Sequence, residues 1–221
     1  MGLFDFFTKK PSLPYKNKAF NTIYDLLFCD DIDLCKSNSK SSAYPFNILY
    51  ADKMDIEQVK VVANDKALES RHRILAYNLL LRSGVGVNER ELLGVIVEVS
   101  LSHGLDVLGA FSDGTARYIN HAEKMIVWET KTDESNHLIN QLFSHSVIVI
   151  NQIGPWDQNR KPFPEKGNIR LTFLVSDGLY FGEGLFPIFQ TDPMAGPVIL
   201  SATQLLNFLT VKSITNKGKP L

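Results

Sequence analysis

The period of the hydrophobic pattern changes once along this 221-residue chain, near Leu92, and this change constrains the fold more than any other feature. Upstream, apolar residues recur every three or four positions, as in residues 20–27, which is typical of amphipathic helices. Downstream, apolar residues in the segment 92–101 occupy alternate positions, which is typical of β-strands. The sequence therefore predicts an N-terminal helical region followed by a domain that contains a sheet.

Four short segments with strand-like alternation follow one another between residues 92 and 129. The connections between them, which include the turn signal Asp113-Gly114, are too short for the crossovers that parallel strands need. A second alternating pair surrounds Asp177-Gly178. We therefore predict an α+β fold with an antiparallel sheet of about six strands, formed by a four-strand meander and a hairpin and packed with helices on at least one face.

The alternation also predicts which side chains of the sheet face a helix layer. In the first strand, Val95, Val97 and Val99 share one face, and we expect them to be covered by helices. Glu98 falls on the other face, which we expect to point outward. Arg117 and Arg170 also alternate with apolar neighbours, and we expect them to lie on a solvated face of mixed character rather than to bind nucleic acid.

Breaks in the pattern divide the chain into four parts. Prolines separate an N-terminal arm, residues 1–16, from a helical region, residues 17–84, that packs on the main domain. The α+β domain extends over residues 85–211. The remaining residues, 212–221, form a polar tail that we expect to be mobile.

Charge and cysteine content restrict the class of function. The chain has 23 Lys and Arg against 24 Asp and Glu, so no net positive field attracts nucleic acid. The two cysteines, Cys29 and Cys35, have no histidines near them in sequence to complete a zinc site, and we expect reduced thiols in a cytoplasmic protein. Phosphate-binding, nucleophile-elbow and zinc-protease motifs are absent from the sequence, so we expect no cofactor and no catalytic metal.

The N-terminal arm is apolar at its start and basic at its end. Its apolar residues are Leu3, Phe4, Phe6 and Phe7, followed by Lys9 and Lys10. Such a segment is able to contact a membrane surface or the groove of a partner, and the alternative is that it packs on its own domain or frays. Downstream, an acidic group opposes a basic group, and we expect this N-terminal region to pair with itself or with a neighbour. The acidic group is Asp25, Asp30, Asp31 and Asp33, and the basic group is Lys9, Lys10, Lys16 and Lys18.

The proline-rich segment 154–168, called the Trp156 loop below, is the leading candidate for a binding site. Loops of this length in compact domains are usually functional or disordered, and its two large aromatic residues are unusual in disordered linkers. If it converges with the end of the second hairpin, a pocket of mixed charge results. The candidate binding residues are Trp156, Asp157, Arg160, Phe163, Glu183 and Asp192. In the alternative interpretation, the aromatic side chains fill a gap between helix and hairpin.

Two histidines suggest a second location for chemistry. His103 and His121 lie in the first and third turns of the meander, which come out at the same end of the sheet, and Asp106 is near them in sequence. These groups are able to form an acid-base or metal cluster. The alternative is that both histidines are solvated turn residues.

These observations favour a cytoplasmic protein-interaction domain of bacterial type, an adaptor or a toxin-neutralising protein that binds a protein partner or peptide without catalysis. Two alternatives remain open. One is a small hydrolase with a carboxylate/histidine pair in a pocket near the Trp156 loop. The other is a membrane-peripheral protein docked by its apolar arm. Self-association into a homo-oligomer is a further expectation.

Overall fold

The N-terminal helical region covers one face of a six-stranded sheet. The computed structural model describes residues 13–87 and 89–217. The helices of this region are α1 (Lys18–Leu26), α2 (Ile32–Asn38), α3 (Phe46–Leu49), α4 (Ile56–Asn64) and α5 (Ser70–Arg82). The side chain of Asp55 accepts from two backbone N–H groups in the first turn of α4 and caps this helix. Gly84, with a φ of +73°, ends α5 as predicted.

The sheet is antiparallel between all neighbouring strands, which confirms the predicted α+β fold. Its strands are β1 (Leu92–Leu101), β2 (Gly104–Phe111), β3 (Ala116–Ile119), β4 (Met125–Trp128), β5 (Asn168–Val175) and β6 (Gly178–Leu185). Their order across the sheet is β4-β3-β2-β1-β5-β6. The meander and the second hairpin therefore meet at β1, which pairs with both β2 and β5.

Three further helices belong to the C-terminal half of the chain: α6 (Asp133–Ile150), α7 (Phe186–Thr191) and α8 (Ala195–Lys217). Thr132 caps α6 through a reciprocal pair of hydrogen bonds with Ser135. Helix α8 continues past residue 211, where the predicted α+β domain ends. The mobility expected for residues 212–221 stays a prediction. Among the described residues, α8 alone is long and apolar enough to cross a membrane, and 39% of its Ala195–Ile214 segment is buried within the protein.

Helices pack on both faces of the sheet and enclose two hydrophobic cores. Helices α6 and α8 cover the face that carries Val95 and Val97. The N-terminal helices cover the opposite face, to which β1 contributes Leu93 and Ile96. The predicted orientation of the valines is therefore correct. The sheet forms the middle of three layers, and its central strand is buried on both sides.

The predicted outward orientation of Glu98 is wrong, because the N-terminal helices cover its face of the sheet. The carboxyl group is fully buried, and the hydroxyl of Tyr24 in α1 donates to Glu98 Oε1 at 2.6 Å. Burial raises the pKa of Glu98 above its ordinary value, although the neighbouring guanidinium of Arg170 opposes this effect. Arg117 and Arg170 are buried as well, so the solvated polar face expected from the sequence does not exist at these positions.

The two Asp-Gly sequences occupy turns that differ from the predicted geometry. The N–H of Phe111 donates to the carbonyl of Thr115 at 2.9 Å, so three residues rather than two form the first turn. Its only residue with a positive φ is Gly114, as in a type I turn followed by a bulge. In the second hairpin Val175 pairs with Gly178, which places the turn one residue earlier than predicted.

We predict that Val97→Asp unfolds the protein. Val97 is 6% exposed, and an unpaired carboxylate buried there costs several kcal/mol against a total stability of roughly 5 to 15 kcal/mol. Val127→Asp is the matched control, because Val127 lies on β4 and is 48% exposed. Circular dichroism and thermal melts measure both variants. A folded Val97→Asp protein with an unchanged Tm would contradict the assignment of this face to the core.

We also predict that Glu98→Gln stabilises the protein in a pH-dependent way. Because folding raises the pKa of Glu98 above its ordinary value of 4.5, the folded state holds the proton more tightly than the unfolded state. The stabilisation that comes from this tighter proton binding is present below pH 4.5 and is lost as the pH rises through the folded-state pKa of Glu98. The Tm of Glu98→Gln should therefore exceed that of the unaltered protein by a margin that grows above this pH, by roughly 2–4 °C for each kcal/mol. Curves of Tm against pH that run parallel for Glu98→Gln and the unaltered protein between pH 4 and 8 would contradict this prediction.

Candidate functional site

The Trp156 loop lies against β6 and the N-terminal helices. The backbone N–H of Trp156 donates to the carbonyl of Leu179 at 2.7 Å and forms a single antiparallel bridge with β6. The indole N–H of Trp156 donates to the carbonyl of Asn159 at 3.1 Å. Two hydrogen bonds thus fix both the backbone and the ring orientation of Trp156.

Arg160 attaches the same loop to helix α1 and the turn that follows it. Its Nε donates to Asp30 Oδ2 at 2.7 Å, and its Nη2 donates to Asp25 Oδ1 at 2.9 Å. The guanidinium carbon lies 3.9 Å from the centroid of the Phe28 ring, in a cation–π arrangement. Burial alone would lower the pKa of Arg160, but the two carboxylates outweigh burial and raise it. Arg160 is therefore a charged anchor with its donors directed into the protein.

The indole of Trp156 is half-buried rather than enclosed. Its ring contacts the ring of Phe181 in β6 edge to face, with the centroids 5.1 Å apart. The Lys161 ammonium lies 5.1 Å from the Trp156 ring and 5.2 Å from the Phe181 ring. The ring therefore neither fills a core nor stands free, and part of its surface is available to a ligand.

Trp156 and its neighbours form one wall of a groove of about 1070 Å³. The opposite wall consists of the turn after α1 and the end of α5, and the second hairpin turn closes one side. We call this the acidic groove, because four carboxylates and two guanidinium groups line it. Its lining residues are Asp30, Asp31, Asn78, Leu81, Arg82, Pro155, Trp156, Asp157, Gln158, Asn159, Arg160, Asp177, Gly178 and Leu179.

Hydrogen bonds within the protein engage several polar side chains of this groove. The guanidinium of Arg82 donates to the backbone carbonyl of Asp30, and the side-chain amide of Asn78 donates to the carbonyl of Cys29. Asp177 Oδ2 accepts from Arg90 and Tyr180, whereas the buried Asp177 Oδ1 has no hydrogen-bond partner within the described residues. Asp157 is exposed. Because its carboxylates outnumber its guanidinium groups, the groove fits a ligand that carries positive charge and hydrogen-bond donors.

Of the candidate binding residues, Trp156, Asp157 and Arg160 line the acidic groove. The structure places the other three elsewhere. Phe163 packs against the core between the sheet and the N-terminal helices. Glu183 accepts from the guanidinium of Arg170 at 2.7 Å, and Asp192 accepts from two backbone N–H groups at the start of α8. Neither Glu183 nor Asp192 lines the acidic groove, although Arg170 links Glu183 to the Trp156 loop through the carbonyl of Lys161.

Several groove residues did not stand out in the sequence. Asn78, Leu81 and Arg82 fall on α5, where the pattern indicated a helix that packs on the sheet, and they face the groove only because the helix ends there. Asp177 was identified as a turn residue. The acidic residues after α1, Asp30 and Asp31, were the one sequence signal that pointed to this wall of the groove. Because loops at the same end of a sheet come together, a carboxylate cluster near one such loop is a candidate for contact with another.

Asp25 and Asp30 both pair with Arg160. Lys9 and Lys10 of the N-terminal arm lie outside the described residues. The side chain of Asp31 accepts from the backbone N–H of Leu34 and caps α2. The apolar arm residues Leu3, Phe4, Phe6 and Phe7 lie outside the described residues. The prediction that they contact a membrane or a partner stays a prediction.

The turn histidines come together at the opposite end of the sheet from Trp156. The rings of His103 and His121 are perpendicular, with their centroids 4.1 Å apart. Asp106 Oδ1 accepts from the backbone N–H of His121 at 2.7 Å and lies 2.8 Å from His121 Nδ1. The part of the chain that the structure describes contains no group of three or more His, Cys, Asp or Glu able to hold a metal ion. The carboxylate/histidine pair is thus real, but it is remote from the Trp156 loop.

Comparison with known proteins adds no assignment. No family model matches the chain, and no curated protein matches it. The function has to be argued from the geometry and chemistry of the groove itself.

We predict that Arg160→Met loosens the Trp156 loop while it keeps apolar contact with Phe28. The variant loses hydrogen bonds to two carboxylates, which corresponds to roughly 1–3 kcal/mol. The amide of Trp156 should then exchange with solvent roughly 10 to 100 times faster, measured by native-state hydrogen exchange. Lys166→Met is the control, since Lys166 is an exposed residue of the same loop. Equal exchange rates in the two variants would show that Arg160 does not anchor the loop.

Proposed function

We propose that this protein is a protein-interaction domain that binds an extended segment of a partner polypeptide in the acidic groove. The observation that carries the proposal is the fixed presentation of Trp156 at the wall of a large, open groove. Large aromatic side chains dominate binding energy when they sit beside a concave surface. The groove volume is more than one side chain requires, which favours a segment of several residues over a single small metabolite.

Preorganisation supports this use of the loop. Trp156 is bonded to β6 through its backbone N–H, and Arg160 is bonded to the α1 side through its guanidinium. A loop that is already ordered loses little conformational entropy when a ligand binds. The free energy gained when a partner contacts the half-buried indole is therefore not reduced by the cost of ordering the loop.

The charge of the groove indicates what the partner segment contains. Asp157 is exposed, and the groove is lined by four carboxylates and two guanidinium groups. A Lys or Arg side chain supplies the matching donors and charge, and its aliphatic part is able to lie along the indole. We infer that the bound segment carries a basic residue next to an apolar one.

We also propose that the protein acts in the cytoplasm and without a cofactor. Both cysteines carry free thiols, which suits a reducing compartment. Burial raises the pKa of both thiols, that of Cys35 to about 11, so neither is an activated nucleophile. The proposed role as an adaptor or a toxin-neutralising protein requires only the binding surface.

The test is selection of binders from a random peptide library against the full chain, followed by affinity measurement with Trp156→Ala. We expect selected peptides to share a basic residue beside an apolar one, and Trp156→Ala to weaken binding at least tenfold with a small change in Tm. Tyr44→Ala is the matched control, because Tyr44 is an exposed aromatic residue outside the groove.

Two results would contradict the proposal. One is a set of selected peptides that bind Trp156→Ala and the unaltered protein equally well. The other is a loss of roughly 3 to 5 kcal/mol of stability in Trp156→Ala, which is the cost expected for a core aromatic and would assign Trp156 a structural role.

A further inference from the structure

A second, smaller cavity lies between α8 and the sheet, on the face opposite the N-terminal helices. Its volume is about 140 Å³. Most of its wall is apolar, and three polar side chains lie at its margin. The lining residues are Val97, Val99, Asp106, Leu108, Tyr118, Ile169, Phe186, Ile199, Ala202, Thr203 and Leu206. We call it the α8 cavity, and it shares no lining residue with the acidic groove.

The two hydroxyl groups at this cavity, those of Tyr118 and Thr203, direct their protons away from a ligand. The hydroxyl of Tyr118 donates to Asp106 Oδ2 at 2.8 Å. The hydroxyl of Thr203 donates to the carbonyl of Ile199, one turn earlier in α8, at 2.8 Å. Burial and the bond to Asp106 both raise the pKa of Tyr118, so the phenol keeps its proton. The polar margin of the α8 cavity therefore presents oxygen lone pairs and no donor.

Asp106 keeps room for one further donor. An ionised carboxylate has about four lone-pair sites. Tyr118 occupies one at Oδ2, and the backbone N–H and the ring nitrogen of His121 occupy two at Oδ1. These partners fix the orientation of the carboxylate. His121 in turn packs against the ring of His103.

We propose that the α8 cavity binds a small apolar primary amine, with the ammonium group on Asp106 and Tyr118 and the hydrocarbon part among the apolar side chains. The cavity volume matches the ligand size, because an apolar cavity of about 150 Å³ accommodates benzene. An ammonium group supplies three donors and a positive charge to a margin that offers only acceptors. A carboxylate ligand of the same size would meet a like charge.

Titration of the isotope-labelled full chain by two-dimensional NMR tests the proposal with three probes of similar size and different charge. We expect benzylamine to shift the amide signals of Val99, Leu108 and Ala202, and to bind at least tenfold more tightly than benzyl alcohol. Benzoate should cause no shifts at these residues. Equal affinity for benzoate and benzylamine, or no shift with benzylamine, would overturn the proposal.

Two variants locate the site. Asp106→Asn should reduce the affinity for benzylamine at least tenfold, to that of benzyl alcohol. Thr203→Phe places a large side chain at an exposed position on the cavity margin, with little risk to folding, and should abolish binding. Gln204→Phe is the matched control, since its neighbouring position on α8 is exposed and does not line the cavity. Unchanged benzylamine binding in Thr203→Phe would place the binding elsewhere and overturn the assignment.

Discussion

The central strand β1 is covered by helices on both faces, so polar groups beside it have to find their partners inside the protein. Glu98 on β1 accepts from Tyr24 of α1, and its other oxygen lies 3.8 Å from the guanidinium of Arg170 on β5. Arg170 in turn donates to Glu183 on β6 and to the carbonyl of Lys161 in the Trp156 loop. These contacts connect strands β1, β5 and β6 with helix α1 and the Trp156 loop. The bond from Arg170 to the carbonyl of Lys161 links the path of the loop to these buried groups.

Arg160 completes the same arrangement from the side of the helices. It is bonded to Asp25 and Asp30 and lies 5.7 Å from the centroid of the Tyr24 ring, whose hydroxyl contacts Glu98. The Trp156 loop is therefore held by one arginine of the sheet and by one of its own. This double attachment is why a proline-rich loop presents an ordered groove wall. The α8 cavity depends on none of these residues, because it lies on the other face and at the other end of the sheet.

The fold was largely predictable from the sequence, because alternation and turn spacing are local properties. The six strands, the helical character of residues 17–84 as a whole and the caps at Asp55 and Thr132 follow from such signals. The short helices α2 and α3 do not, because they span too few residues to show a helical period. The orientation of Glu98 was not predictable in this way, since a charged residue on an alternating strand usually marks a solvated face. The run of apolar residues on both faces of β1 was the available signal for a strand buried on two sides. The groove was only partly predictable, because the contribution of α5 depends on how separate elements meet in three dimensions.

The bridge between Trp156 and Leu179 has a consequence for the outer edge of the sheet. Strand β6 ends the sheet, and in its hairpin register the backbone groups of Leu179, Phe181 and Glu183 point away from β5. Exposed groups of this kind are templates for pairing with another chain and for aggregation. By bonding to Leu179, the loop occupies the first position that an added strand would take. Trp156 therefore also prevents another strand from pairing with β6 at Leu179.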